Sequence, residues 1–313
     1  MSITHLVTHS GGFHADEVLS TVVLSRLFPE ATLVRSRDAE WITPDSGKII
    51  YDVGRAYDAD AGIFDHHQKP NPLRENGQPY SSFGLIWRHF GKDYLAEQNV
   101  PESDIDEVHA SFEQSFVLPV DLLDNGAIDP SAAGPLSGLT LPVLLETLKP
   151  SFDDIRDEAD NSAFMMAVDV ARHFVEAGIR AKSAKQRAEA LVKQAIKAVG
   201  DGRVLELPTG MPFRSAIEST GADHLLFVVH PRNDDWTLTT IRKGADTFEN
   251  RADLPASWGG LTDSALEDAT GVKGAKFCHN ALFIAVADSR DAIMEMARLA
   301  VLEVETRPSS GRG

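Results

Sequence analysis

The sequence predicts an α/β protein with an N-terminal parallel-sheet domain, a helical connection and a smaller C-terminal α/β domain. Three observations carry that reading. Short apolar runs alternate with a helix-period segment over the first 65 residues, as in a parallel sheet wound with helices. Residues 151–198 contain one Gly, no Pro and much Ala and charge, which favours a long helix. Beyond Gly202, strand-like runs resume in HLLFVVH, WTLTTI and FCHNALFIAVA. The expected boundaries are 1–125, 126–200 and 201–313.

Taken in order, strands are expected at 4–8, 31–35, 48–53 and 62–65. Between the first two, an apolar-periodic helix runs from His14 to Phe28, where Pro29 stops it. After the turn-rich segment QKPNPLRENGQPY, Ser81 and Ser82 read as the N-cap of a helix carrying Phe83, Ile86, Trp87 and Phe90. Residues 105–124 read as helical and end at Asn125-Gly126, where Gly supplies the residue after the cap. A closing helix spans Asp291 to Glu305, and the tail PSSGRG is expected to be disordered.

Composition sets the class. With 42% hydrophobic and 25% charged residues among 313, the chain can bury sizeable cores. No apolar run is long enough for a bilayer, and MSITHLVTHS lacks the basic and apolar regions of a signal peptide. A cytoplasmic location without a membrane partner is expected. The single cysteine, Cys278, rules out an internal disulfide and a thiolate cluster as a metal cage. A net charge of -17 argues against a nucleic-acid-coating surface, yet permits a nucleic-acid substrate where bound cations invert the local field. The basic stretch from Arg180 to Lys197 reads as a solvated helix face.

Four clusters place His and Asp at the ends of expected strands or just after them, the edge where open parallel sheets bind ligands. They are His9, His14 and Asp16 in HSGGFHADE, Asp52 in YDVG, Asp65, His66 and His67 in IFDHHQ, and the pair Asp121 and Asp124. Imidazole nitrogen with carboxylate oxygen suits manganese, magnesium, iron or zinc, and a shared carboxylate lets two ions sit side by side. Singly, each residue has a plainer role as a cap or turn residue. Together they point to a metal centre.

These residues resemble the DHH phosphoesterase superfamily. More narrowly, THSGGFHADE, YDVG, FDHHQ and LLDNG resemble the melanocyte-proliferating-gene family, and the C-terminal LPASWGGLTDSALEDATGVKGAKFCHNALFIAVADSRDAIMEMA extends the likeness over nearly the whole chain. That resemblance implies a DHH-type catalytic domain and a 3′ to 5′ RNA exonuclease, although an older label is metal-dependent protein hydrolase. It implies two divalent ions, manganese first. His9, His14 and Asp52 would hold one, and Asp16, Asp52, His66 and either Asp121 or Asp124 the other. His67 would touch the scissile phosphate or orient a ligand, and Asp65 would hold an imidazole. Glu17 is either a supporting residue or part of the first helical turn.

In the resembled proteins a C-terminal domain closes on substrate with glycines and a histidine. Gly274 and His279 stand in that neighbourhood with Gly271, which equally suits a helix C-cap. Arg37, with Arg35, would meet phosphate or pair with Asp38 and Glu40. The implied substrate is single-stranded RNA or a short oligonucleotide, and a homo-oligomer is compatible with the sequence. The alternatives are hydrolysis of a small phosphate, such as a dinucleotide or pyrophosphate, and nucleotide binding without catalysis. Peptide hydrolysis lacks an HExxH pair or a serine elbow.

Overall fold

The computed structural model describes residues 2–156, 158–244 and 246–306, so the tail PSSGRG lies outside the described residues. The chain separates into two compact units, which meet in sequence at Ala184 and Lys185.

The first unit opens β1 (His5–Thr8), α1 (Ala15–Leu27), β2 (Thr32–Arg35), α2 (Ala39–Ile42), β3 (Lys48–Tyr51), β4 (Tyr57–Asp58) and β5 (Ile63–Phe64). The sheet order is β2-β1-β3-β5-β4, with β4 alone antiparallel. The four expected strands are present, slightly shorter than predicted. The third stops at Tyr51 because Asp52 takes a left-handed φ of 54°. The two-residue β4 was not expected.

Helices follow: α3 (Ser82–Glu97), α4 (Ile105–Phe112), α5 (Leu118–Asp124), α6 (Leu141–Glu146) and α7 (Ala159–Val199). Ser81 caps α3 by accepting from Phe83 N–H at 3.2 Å, while Ser82 Oγ donates to the Phe64 carbonyl at 2.8 Å and ties the helix to β5. The expected helix over 105–124 is interrupted at Glu113–Val117 by a π-turn, and it ends, as read from sequence, at Asn125 and a left-handed Gly126.

Helix α1 is buried from Ala15 through Leu24 and packs on α3. Around it lies a core of Phe13, Tyr51, Phe64, Phe83, Trp87 and Phe112. Along α7, Phe164, Ala167, Val168, Ala171, Val175 and Ile179 follow a helical period into this core, whereas Val192 and Ile196 belong to a core of the second unit.

The second unit contains β6 (Val204–Glu206), α8 (Arg214–Ser219), β7 (Phe227–Arg232), β8 (Asp235–Thr240), α9 (Asp263–Thr270), β9 (Ala275–Cys278), β10 (Ile284–Ala287) and α10 (Arg290–Thr306). Its sheet order is β6-β7-β8-β10-β9, and only β6 and β7 pair in parallel. FCHNALFIAVA, one run in the sequence, is two strands joined by a hairpin. Among the described residues no helix is long and apolar enough to cross a membrane.

Candidate metal centre

The carboxyl ends of adjacent strands β1, β3 and β5 deliver His9, Asp52 and the Asp65-His66-His67 triplet to one sheet edge. Helix α1 starts there too. The His14 N–H donates to the Glu17 carboxylate at 2.8 and 2.9 Å, which fixes the first turn and brings Asp16 inward. Helix α5 supplies Asp124 from its last turn.

Asp52 stands at the centre. Its Oδ2 lies 3.2 Å from His9 Nε2 and its Oδ1 3.3 Å from His66 Nε2, so one carboxylate faces two imidazoles. His9 Nε2 is also 3.1 Å from Glu17 Oε1, and His66 Nε2 is 3.3 Å from Asp124 Oδ2 and 3.9 Å from Asp16 Oδ2. His9 Nδ1 meets the Ser10 carbonyl at 3.2 Å. A carbonyl only accepts, so Nδ1 carries the proton and the Nε2 lone pair of the neutral ring is turned to the cluster.

The electrostatics of this arrangement call for a cation. Burial works to raise the Asp52 carboxyl, but His66 and His9 outweigh it and hold it well below the usual range. Burial, reinforced by Asp52, Asp124 and Glu17, drives Asp16 far upward. Both Asp16 oxygens are sealed from solvent, at 1% residue exposure, and lack a hydrogen-bond partner. Burial lowers His9, yet Asp52 and Glu17 raise it to about 10. Among the described residues, Asp16, Glu17, Asp52 and Asp124 thus crowd around His9, His14 and His66 at one edge, and these oxygen and nitrogen donors fit a divalent ion.

Asp65 lies beside the cluster with every oxygen occupied. Its Oδ1 accepts from the His66 N–H at 2.7 Å, the His67 N–H at 3.1 Å and His67 Nδ1 at 2.7 Å, and its Oδ2 accepts from the Arg55 N–H at 2.6 Å. His67 is thus oriented by Asp65 and remains half-exposed at the mouth.

Of the predicted metal residues, the structure brings together His9, His14, Asp16, Asp52, His66 and Asp124, and it places Asp121 elsewhere. Residues three apart on a helix diverge by about 60° and 4.5 Å along the axis. That offset sends Asp121 to Ser81 Oγ at 2.6 Å, the Gly84 N–H at 3.1 Å and Arg74 at 2.5 Å. Arg74 also holds Glu113 and lies over Tyr80, so it clasps the 68–80 segment to α5. Nothing in the sequence pointed to Arg74, since its partners are 39 and 47 residues away.

Arg35 pairs with neither Asp38 nor Glu40. It donates to the Gly11 carbonyl and, at 3.1 Å, to the Asp160 carbonyl and Asn161, bracing the glycine turn. Arg37 lines a basin with His9, His14, Asp52, Arg55 and His67. Gly271 is the left-handed cap of α9. Gly274 is required by its surroundings. Its φ is 88°, its N–H donates to Glu267 at 2.6 Å, and an added Cβ would collide with the Asp288 carboxylate. His279 lies between Phe277 and Phe283, with Nδ1 accepting from the Ala281 N–H at 3.0 Å.

A family model, MYG1_exonuc, described as an uncharacterised protein family (UPF0160), matches residues 5–301. The MYG1 protein of Saccharomyces cerevisiae is 31% identical over 95% of this chain and 95% of its own length. The MYG1 exonuclease of Rattus norvegicus is 30% identical over 98% of this chain and 87% of its own, and that of Homo sapiens 30% over 95% and 86%. Among solved structures, exonuclease RecJ bound to manganese aligns with 97% of this chain and 91% of its own at 14% identity, with a TM-score of 0.26. With a match spanning nearly its whole length and relatives at 30–31% identity, the chain belongs to the MYG1 exonuclease family.

Proposed function

We propose that this protein is a metal-dependent exonuclease that hydrolyses single-stranded RNA or short oligonucleotides from the 3′ end with two divalent ions, manganese foremost. Membership of the family supports nuclease and phosphoesterase chemistry. The observation that carries the finer reading is the Asp52 carboxylate, which faces His9 with one oxygen and His66 with the other, beside the unpartnered Asp16 carboxylate. On this reading His9 and His14 serve one ion, Asp16, His66 and Asp124 the other, and Asp52 both.

Divalent ions in such a site supply Lewis acidity and positive charge to a phosphoryl group. The protein's own groups provide the rest. Asp65 raises the His67 imidazole by its hydrogen bond at Nδ1, which favours a proton on Nε2 at the mouth of the site. That proton is available to the departing 3′ oxygen. The Ser10 carbonyl at Nδ1 fixes His9 with Nε2 turned to the cluster, where a bound cation would displace its proton, and Ser82 Oγ, 3.4 Å from Asp52 Oδ1, supports the central carboxylate.

Asp52→Asn should lose both metal loading and turnover while keeping its fold, measured by metal analysis, hydrolysis and circular dichroism. Hydrolysis at the parent rate by that variant would sink the scheme. A length series of single-stranded RNA, assayed with manganese beside pyrophosphate and cyclic dinucleotides, tests the substrate. Faster turnover of the small phosphates than of any RNA would favour the alternative reading.

A further inference from the structure

The basin on the His9 side of the cluster holds about 620 Å³ and is lined by His9, His14, Asp52 and His67, with Arg37 and Arg55 among its walls. Both arginines are exposed, and neither guanidinium has a hydrogen-bond or ion-pair partner among the described residues. Two unpaired cations therefore stand beside a dense carboxylate site in a chain of net charge -17.

The backbone that presents Arg55 is also unusual. Asp52, Gly54 and Arg55 have φ of 54°, 106° and 56°, so three of four consecutive residues are left-handed and two of them carry side chains. Such conformations persist where surrounding contacts enforce them, and they concentrate at functional sites. Here the enforcing contact is Asp65, whose Oδ2 accepts the Arg55 N–H while its Oδ1 holds His67 Nδ1. One carboxylate therefore sets both the arginine and the histidine at the mouth of the site.

We propose that Arg37 and Arg55 form a subsite for the phosphate next to the scissile one, on the part of the chain that stays intact. The inference rests on the nuclease reading above. Ions and His67 would offset the charge on the scissile phosphate, whereas its neighbour keeps a full charge that planar guanidinium groups bind well. The enzyme would then act on a polynucleotide in preference to a lone diester.

The test compares an RNA trinucleotide with a dinucleotide, both without terminal phosphates and both supplied with manganese. Wild type should favour the trinucleotide in kcat/KM by about 100-fold, and Arg55→Gln or Arg37→Gln should each cut that ratio about tenfold. A neutral methylphosphonate at the uncleaved linkage should lower the wild-type rate and matter much less to Arg55→Gln. Independently of turnover, binding of a trinucleotide with methylene-bridged, uncleavable linkages should lose about 0.7 from its log–log salt slope per arginine removed. Equal kcat/KM for the two lengths, or a methylphosphonate without effect, overturns the subsite and leaves the nuclease reading standing. If wild type cleaves neither length, the nuclease reading falls and the subsite with it.

Discussion

At the scale of single residues, the site separates groups that complete the centre from groups that aim them. His67 is half-exposed and held by Asp65, so His67→Gln should keep its metal while kcat falls by about 10² or more. Metal analysis beside steady-state rates checks this, and parallel loss of both would make His67 a ligand instead. Arg55 pays for its place in backbone strain. Arg55→Gly should therefore stabilise the protein by about 1 kcal/mol, even as it loses activity on RNA, because Gly adopts a φ of 56° freely. A thermal melt that moves downward would show that the Arg55 side chain supports the fold. The sequence displayed His9, Asp52 and the triplet because each follows directly on an apolar strand. It hid Arg74 and the bracing role of Arg35, whose partners only folding brings near.

At the scale of elements, the choice between Asp121 and Asp124 shows where sequence reading stops. Spacing placed both on one helix, but the π-turn at Glu113–Val117 resets the helical phase upstream and gives no signal in composition. Likewise β4 has two residues, too few to show a period, and the β9–β10 hairpin keeps Leu282 and Phe283 in its turn, so two strands read as one. Burial pushes the Asp121 carboxyl up to about 7, against the pull of Ser81 and Arg74. A carboxyl raised on folding contributes stability that is complete below its unfolded value of 3.8 and is lost as pH rises through about 7. Asp121→Asn cannot titrate. The advantage of wild type over this variant should thus shrink by up to roughly 4 kcal/mol between pH 4 and 8 in urea unfolding. A difference that stays flat across that range would mean that Arg74 keeps the carboxylate ionised throughout.

At the scale of the whole molecule, each unit has cores of its own, and α7 contributes one apolar stripe to a core of the first unit and another to a core of the second. The cysteine is buried in a further core of the second unit, far along the sequence from the carboxylates of the first. Calorimetry should resolve this division. Chelation is expected to lower the transition of the first unit and leave that of the second in place, and a uniform shift of both would contradict it. The unpartnered Asp16 carboxylate gives that asymmetry its meaning. Closing the first unit around it buries a carboxyl whose ionised form a bound cation would stabilise, so on the proposed reading ion capture and folding form one linked equilibrium. On the proposed metal-dependent reading, the share of competent protein would then follow the supply of free metal.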